Sequence, residues 1–269
     1  MHTLSRVQST VALAALLATG GAHAAGTAQA KSQLAPSGTL RAAINYGNAV
    51  LAVKNPQTGA LEGVSVDLAQ ELGKRLHVPV QLVPYSAARS VVEGAAKQDW
   101  DIAFAGIDPG RAETIVFTAP YVIIEGGYMV RQDSPIKTNA DVDRAGVRIA
   151  ISKGSAYDLY LTKNIKHATF VHTSDPATVT DTMMTQKLDV VAGVKQRNIA
   201  DAKRIPGLRQ LDGSFMQINQ AMATLKGRDA GAAYLSAFVE EMKASGFIAK
   251  SLKAHHVDGA LVAPPADKK

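Results

Sequence analysis

The sequence predicts an α/β fold made of two similar lobes. Strand-like and helix-like segments alternate along the chain, which is typical of parallel βαβ units. The chain has 269 residues, enough for two small domains that each have a core. Two stretches also echo one another, because 98–106 and 186–193 each contain Gln, two further residues, Asp, an apolar strand and Ala-Gly. The alternation and the echo together indicate two lobes of related structure.

In the first half of the chain, each predicted element is supported by its own pattern. Residues 40–44 are a short apolar strand, and Asn-Pro-Gln-Thr-Gly at 55–59 is a turn. Four apolar residues at helical spacing then predict a helix, with Ser65 as a candidate N-cap: Val64, Leu68, Leu72 and Leu76. The following segments are an alternating strand at 78–83, a helix at 91–96 and a buried strand at 102–105.

The second half repeats the alternation. Residues 147–151 form a strand, and a helix is predicted to open at Gly154-Ser155. Ser-Asp-Pro at 174–176 is a strong helix start, and residues 190–192 are again a strand. The last long helix carries four apolar residues on one face: Leu235, Phe238, Val239 and Met242.

The N-terminus is predicted to be a secretory signal peptide, residues 1–24. It has Arg6 as a positive n-region, a short apolar run at 11–18 and Ala22-His23-Ala24 as a cleavage site. The apolar run is well short of the roughly 20 residues that a membrane-spanning helix needs. We therefore expect cleavage after Ala24 and export to the periplasm. A flexible leader at 25–38 and a frayed tail at 259–269 are predicted at the ends of the mature chain.

Composition excludes several classes of function. The chain contains no cysteine, so it has no disulfide, thiolate metal site, cysteine nucleophile or lipid anchor. The formal net charge is +6, but the basic residues are scattered and aromatic residues make up only 5%. Scattered charge of this kind is typical of a solvated surface, so we do not expect nucleic acid to be a partner.

The first candidate site is the Gly-Ile-Asp-Pro-Gly-Arg segment at 106–111. It follows a buried strand, and ligands of open α/β sheets bind at the carboxyl ends of strands. Pro109-Gly110 makes a tight turn that can present Arg111, whose planar fork matches a carboxylate. The competing interpretation is a surface turn with a solvated arginine, and the local pattern leaves both open.

The second candidate is the Lys-Gly-Ser-Ala-Tyr segment at 153–157, between a strand and a helix. Backbone N–H groups at the helix start and the Ser155 hydroxyl could hold an anion, although a simple capped helix explains the same residues. The seven histidines show no metal-binding spacing, and the sequence has no nucleophile elbow or phosphate-binding loop. No metal and no cofactor are expected.

Several longer motifs resemble the periplasmic solute-binding proteins of family 3, the amino-acid type of ABC transporter substrate-binding protein. They are Asp-Ile-Ala-Phe-Ala-Gly-Ile at 101–107, then Arg111, then Ile-Val-Phe-Thr-Ala-Pro-Tyr at 115–121, with Gly154-Ser155 and Gly-Ala-Leu-Glu-Gly-Val-Ser-Val-Asp-Leu-Ala at 59–69. The resemblance runs from about Thr39 to Val257.

The resemblance implies a two-lobed periplasmic binding protein (type II) fold with a ligand cleft between the lobes. The implied divisions are lobe 1 at 39–123 and 219–258, lobe 2 at 126–213, and crossing strands near 123–126 and 214–219. Hinge closure would trap the solute. It further implies a monomer that is not an enzyme and that hands a small carboxylate-bearing solute, an amino acid or related organic acid, to an inner-membrane ABC permease.

Site residues also follow from the resemblance. Arg111 would bind the ligand carboxylate, with help from backbone groups near Gly106 and from Ser155. Three further residues fall where the family places residues that wall the ligand: Asn48, Tyr46 and Tyr85.

The sequence departs from the family at two points. Asp108 replaces a hydroxyl residue, and the segment at 193–195 lacks the usual acid that pairs with an α-amine. Either the ligand lacks a conventional α-amine, or an acid such as Asp108 or Glu125 replaces that partner.

Two alternative functions remain at this point. Periplasmic cyclohexadienyl dehydratases use the same fold, with a cleft carboxylate as general acid. In this chain Asp108, Glu125 or Asp158 could serve in that role. A sensory module that docks onto a receptor is a third hypothesis, and it would need a separate signalling partner.

Overall fold

The computed structural model describes residues 26–267, which form two α/β lobes sharing one ten-stranded mixed sheet. The predicted signal peptide, residues 1–24, lies outside the described residues. The strands are β1 Leu40–Asn45, β2 Val53–Lys54, β3 Leu61–Glu62, β4 Val80–Tyr85, β5 Ile102–Gly106, β6 Ile115–Arg131, β7 Arg148–Ser152, β8 Thr169–Thr173, β9 Val190–Val194, β10 Leu208–Gln210, β11 Met216–Leu225 and β12 Leu261–Val262. The helices are α1 26–34, α2 Val64–Leu76, α3 Ala88–Ala96, α4 Ala156–Asn164, α5 Val179–Thr185, α6 Lys195–Arg204, α7 Asp229–Ala244 and α8 Phe247–Ala254.

Lobe 1 is built on the strand order β4-β1-β5-β11-β6. Strand β5 is buried at every position, because it lies between β1 and β11 and helices cover both faces of the sheet. Ile102 and Phe104 belong to the main core with α2 and α7, whereas Ala103 packs with Val91 of α3 and Trp100 in a second cluster. This two-sided burial explains why β5 has a continuous apolar sequence.

Lobe 2 repeats the arrangement with the strand order β6-β9-β7-β8. Strands β7, β8 and β9 are parallel, and β6 pairs antiparallel with β9. Ile149 and Ile151 of β7 pack into the core on the α4 side, whereas Ala150 packs with α5 on the other face. The alternation along one strand therefore follows the two-residue period of the pleat.

Two long strands connect the lobes. Strand β6 has 17 residues and runs from the sheet of lobe 1 into that of lobe 2, and β11 returns beside it in antiparallel register. The crossing segments predicted at 123–126 and 214–219 overlap the paired part of these strands, where Met216 lies opposite Gly126 and Asn219 opposite Ile123. The exact lobe limits stay a prediction.

The echo between the two lobes has a structural counterpart. In lobe 1 the carboxylate of Asp101 accepts a hydrogen bond from the backbone N–H of Arg41 (3.0 Å), and in lobe 2 Asp189 accepts from the N–H of Arg148 (2.8 Å). Both aspartates immediately precede an inner strand and tie it to the neighbouring parallel strand. The sequence echo therefore marks equivalent positions.

The structure corrects the two predicted ends. Residues 26–34 form helix α1 rather than a flexible leader: Leu34 is fully buried, and the side chain of Gln33 accepts a hydrogen bond from the N–H of Gly231 on α7. The predicted tail contains β12, which pairs with β6, and Ala263 is buried. Both segments are ordered by partners distant in sequence, so their own weak patterns did not predict them.

One predicted helix cap is also wrong. Helix α2 begins after Gly63 rather than after Ser65. Position 63 requires glycine, because its φ is 125° and a side chain there would meet the carbonyl oxygen of Leu51 at 2.5 Å. The Ser65 hydroxyl is buried and hydrogen-bonds to that of Tyr121 instead (3.3 Å). No helix within residues 26–267 is long and apolar enough to cross a membrane.

Candidate ligand-binding cleft

A cavity of about 60 Å³ lies between the two lobes. On the lobe 1 side it is bounded by the carboxyl ends of β1 and β5, and on the lobe 2 side by the end of β7 and the start of α4. Such strand ends are where open α/β sheets bind ligands. The lining residues are Asn45, Gly47, Asn48, Ala88, Ala105, Gly106, Arg111, Ser152, Ser155, Ala156, Tyr157, Pro176, Val194, Ile218 and Gln220.

Arg111 bridges the lobes from the floor of this cavity. Its side chain is buried, with 4% of the residue exposed. Nη1 donates to the carbonyl oxygen of Gly106 in lobe 1 (2.9 Å), and Nη2 donates to that of Gly154 in lobe 2 (2.8 Å). Burial lowers the pKa of the Arg111 guanidinium, and the nearby charge of Asp108 opposes that shift.

The buried guanidinium has no ion-pair partner, although the charge of Asp108 is nearby. Within residues 26–267, no carboxylate forms an ion pair with Arg111, whose side-chain partners are the two main-chain carbonyl groups. A guanidinium has five N–H donors, and a buried charge is costly unless an opposite charge compensates it. The arrangement is therefore suited to an anion that enters the cavity and pairs with Arg111.

The lobe 2 wall is organised around Asp158. Its backbone N–H donates to the hydroxyl of Ser155, the N-cap of α4 (3.0 Å), while its carboxylate accepts from the N–H of Gly154 (2.7 Å). The other carboxylate oxygen lies 2.8 Å from Nε2 of His172. Burial raises the pKa of Tyr157, and hydrogen bonds with Ser155 and Ser152 oppose the rise. Asp158 thus fixes the loop that supplies the Gly154 carbonyl to Arg111.

A smaller cavity of about 30 Å³ adjoins the first and shares Asn48, Tyr157 and Pro176 with it. It contains the buried carboxylate of Asp201, which accepts hydrogen bonds from Thr180 (2.7 Å), Arg197 (3.0 Å) and Arg204 (3.1 Å). The negative charge of Asp201 is therefore compensated by two arginines of lobe 2.

Of the eight residues named from the sequence, the structure brings four into the cavity lining: Arg111, Gly106, Ser155 and Asn48. The other four lie elsewhere: Asp108, Tyr46, Tyr85 and Glu125. Asp108 is half-buried beside Arg111, but its carboxylate accepts from the backbone N–H groups of Gly110 (2.9 Å) and Arg111 (3.2 Å). It shapes the turn that holds the arginine and does not line the cavity.

The remaining three side chains have partners outside the cavity. Tyr46 lies under the ammonium of Lys54, which is 5.6 Å from the ring centre. Tyr85 packs on the α3 side of the sheet, against the cluster that contains Trp100. Glu125 pairs with Lys195 (3.0 Å), and the hydrogen bond from Lys195 lowers the pKa of Glu125.

Several polar lining residues were missed by the sequence analysis. Asn45 ends β1 at the cavity, and the same strand-end rule that found Gly106 could have found it. Gln220 lies on β11, which reaches the cavity only because this strand returns from lobe 2 beside β5. In the described part of the chain, no group of His, Asp or Glu side chains could hold a metal ion.

Comparison with known proteins shows one family whose sequence model matches this chain. The model of the bacterial extracellular solute-binding proteins, family 3, matches residues 40–257, most of the chain. A comparison with curated proteins gave no match.

Solved structures share the fold. The cysteine-binding protein from Campylobacter jejuni superposes with a TM-score of 0.74 at 21% identity, covering 87% of this chain and 99% of its own. An amino acid ABC transporter substrate-binding protein from Streptococcus pneumoniae, bound to L-arginine, gives 0.72 at 17% identity, with coverage of 82% and 96%. An ancestral amino acid-binding protein, a precursor of cyclohexadienyl dehydratase, gives 0.72 at 20% identity, with coverage of 83% and 97%.

Proposed function

The chain belongs to the bacterial extracellular solute-binding proteins, family 3, and we propose that it binds a small carboxylate-bearing solute in the periplasm and delivers it to an inner-membrane ABC permease. The observation that carries this proposal is the buried guanidinium of Arg111 between the lobes, which has no ion-pair partner among the described residues. It contacts both lobes, so an anion bound there would stabilise the closed cleft. The monomer would then present one closed, loaded cleft to the permease.

Relatives of the same fold support a solute of this size and chemistry. One is a cysteine-binding protein and another is bound to L-arginine, and both ligands carry a carboxylate. The solute of this chain is accordingly an amino acid or a related organic acid. A carboxylate is the group that such ligands share and that Arg111 can bind with two parallel hydrogen bonds.

The cavity lining favours binding over catalysis. An activity of the cyclohexadienyl dehydratase type would need a carboxyl group at the bound substrate as general acid. The three acids that could serve, Asp108, Glu125 and Asp158, each have other partners, and none is among the residues that line the cavity. Incubation of the protein with prephenate or arogenate is expected to give no product.

A thermal-shift screen of the mature protein, which is predicted to begin at Ala25, tests the proposal. The panel contains amino acids, hydroxy and oxo acids, dicarboxylates and aromatic acids. A ligand that binds only the folded state stabilises it by about 2.7 kcal/mol at 100 times its dissociation constant, so the melting temperature rises. We expect one class of carboxylates to raise it. If no carboxylate raises the melting temperature, the proposed function is wrong.

Replacing Asp158 with alanine is expected to weaken binding of the solute found in the screen by about tenfold, roughly the worth of one charge-assisted hydrogen bond. The substitution removes the acceptor of the Gly154 N–H and loosens the loop whose carbonyl contacts Arg111. Isothermal titration calorimetry measures the affinity.

Asp143→Ala is the matched control for this substitution. Asp143 likewise accepts backbone hydrogen bonds in lobe 2, from residues 166–168, and it does not line the cavity. Its loss is expected to lower the melting temperature without changing affinity. Equal losses of affinity in the two variants would show that Asp158 acts through general stability of the lobe and has no local role.

A further inference from the structure

The side chain of Gln220 is buried in the cavity wall without a hydrogen-bond partner. Gln220 lies on β11, is 6% exposed and lines the main cavity. In the described part of the chain its side-chain amide makes no hydrogen bond, and neither amide atom is among the unpaired polar atoms that are sealed from solvent. An unpaired buried amide is costly, so it calls for a ligand that supplies both a donor and an acceptor.

The oxygen atoms of the other polar side chains in the lining are occupied or out of reach. That of Asn45 accepts from the backbone N–H two residues later (3.2 Å), and that of Asn48 is sealed from the cavity. The hydroxyls of Ser152 and Ser155 both hydrogen-bond with Tyr157. Among the described residues that line the cavity, Gln220 therefore supplies the side-chain oxygen that is both reachable and unoccupied.

Gln220 is a neighbour of Arg111, because both contact Gly106. Gln220 lies opposite Gly106 in the antiparallel pair of β11 and β5, and its Nε2 is 3.6 Å from the point where a Cβ on residue 106 would lie. Arg111 donates to the carbonyl oxygen of the same glycine (2.9 Å). A solute carboxylate on Arg111 therefore brings the adjoining carbon of the solute close to the amide of Gln220.

The charges at this end of the cavity suit a zwitterion. In the described chain Arg111 is the one ionised side chain of the lining, and the nearby charge of Asp108 acts on it. These two groups together carry no net charge, and the same is true of the head group of an α-amino acid. The cavity is partly open to solvent, so an ammonium group there keeps part of its hydration and needs a hydrogen-bond acceptor more than an ion-pair partner.

We propose that Gln220 is a specificity-determining residue that recognises the head group of an α-amino acid: its amide oxygen accepts from the α-ammonium group, and its amide nitrogen donates to the carboxylate that Arg111 binds. The amide holds its acceptor and donor side by side, as an α-amino acid holds its ammonium and carboxylate groups on adjacent carbons. A neutral glutamine thus takes the place of the acid that is missing at 193–195. This inference rests on the proposed function and names the class of solute for the same cleft.

The test is calorimetric titration of the unaltered protein and of Gln220→Met with pairs of acids that differ only in the α-amino group. The pairs are alanine and propionate, leucine and isocaproate, phenylalanine and hydrocinnamate, and glutamate and glutarate, together with the best amino acid of the thermal-shift screen and its des-amino analogue. The best amino acid is expected to bind the unaltered protein at least about tenfold more tightly than its des-amino partner, because only the amino acid donates to Gln220.

Methionine keeps the approximate volume of glutamine but has no amide. In Gln220→Met the preference for the amino acid is expected to fall below about threefold, because both acids then depend on Arg111 alone. Gln220→Asn keeps the amide and withdraws it by one methylene group, so its preference is expected to lie between those of the other two proteins. The asparagine variant also answers the question if the melting temperature shows that Gln220→Met does not fold.

Gln217→Met is the matched control. It makes the same change on the same strand, at an exposed position that does not line the cavity, and is expected to leave the preference unchanged.

The possible outcomes separate this inference from the function on which it rests. Des-amino acids that bind the unaltered protein as tightly as the amino acids would overturn the inference and leave carboxylate binding intact. The inference would also be overturned if Gln220→Met weakened both members of each pair equally, because Gln220 would then act on the carboxylate alone or on the fold. Failure of every acid, here and in the thermal-shift screen, would overturn the proposed function and the inference with it.

Discussion

Arg111→Ala is expected to weaken binding of the carboxylate solute by about 2–5 kcal/mol, which corresponds to a loss of affinity of roughly 30-fold to 4,000-fold. The guanidinium is the one ionised group in the cavity lining of the described chain, and burial excludes the water that would otherwise screen it. Its removal leaves the ligand carboxylate buried without a counter-charge. Calorimetric titration of the variant measures this loss directly.

The same substitution is expected to change the melting temperature of the ligand-free protein only slightly. Arg111 donates two hydrogen bonds to carbonyl groups in the absence of ligand, but the burial of its charge without an ion-pair partner opposes their contribution. A large loss of affinity with a small loss of stability is typical of a binding residue, whereas a structural residue would show the reverse.

Two further variants define the role of the guanidinium. Arg111→Lys keeps the positive charge but loses the planar fork, so its affinity is expected to lie between those of the alanine variant and the unaltered protein. Arg144→Ala removes an exposed arginine that pairs with Asp141 on lobe 2 and is expected to leave affinity unchanged. Retention of full affinity in Arg111→Ala would rule out this residue as the carboxylate site.

The parts of the site that sequence alone predicted are those that one strand and its following turn determine. Gly106 is the last residue of β5, Arg111 follows the turn after it, and Ser155 caps the helix after β7. In such units the carboxyl end of the strand, the turn and the helix start are contiguous in sequence as well as in space. A local pattern therefore suffices to place them.

The residues that were misplaced depend on side-chain direction or on distant partners. Asn45, the last residue of β1, lines the cavity, whereas its neighbour Tyr46 lies in the following turn under the ammonium of Lys54. Glu125 lies on a crossing strand near the predicted hinge, but Lys195, 70 residues later, binds its carboxylate. Neither the contact of Tyr46 with Lys54 nor the ion pair of Glu125 with Lys195 is evident in the local sequence.

The fold shows the same division between local and distant signals. The inner strands were predicted because burial on both faces gives them continuous apolar sequences. Helix α1 and strand β12 were not, because short segments with few apolar residues gain their order from α7 and β6. Their sequences indicate a helix and a strand only when the contacts with α7 and β6 are known.

Asp101→Ala is expected to destabilise the protein by about 3–5 kcal/mol, the usual cost of removing one partner from a buried ion pair. Asp101 is fully buried, with its carboxylate 2.9 Å from Nη2 of Arg41 and 3.0 Å from Nη1 of Arg228. It also accepts from the backbone N–H of Arg41 (3.0 Å). Its loss removes the carboxylate that binds both arginines and the backbone N–H of Arg41, and the Arg41 guanidinium keeps only its bond to the carbonyl oxygen of Gln98. Urea denaturation measures the cost in free energy of unfolding.

The echo between the lobes supplies the matched control, Asp189→Ala. Asp189 makes the equivalent backbone bond to Arg148, but 43% of its side chain is exposed and its ion pair with Arg148 is long, at 4.0 Å. Water can therefore replace much of the interaction that Asp189 loses, and the expected loss in free energy of unfolding is below about 1 kcal/mol. Equal costs at the two positions would contradict this account. Both aspartates would then stabilise the protein only through the backbone hydrogen bond that they share. The deeper burial of Asp101 and its second arginine, Arg228, would add nothing to stability.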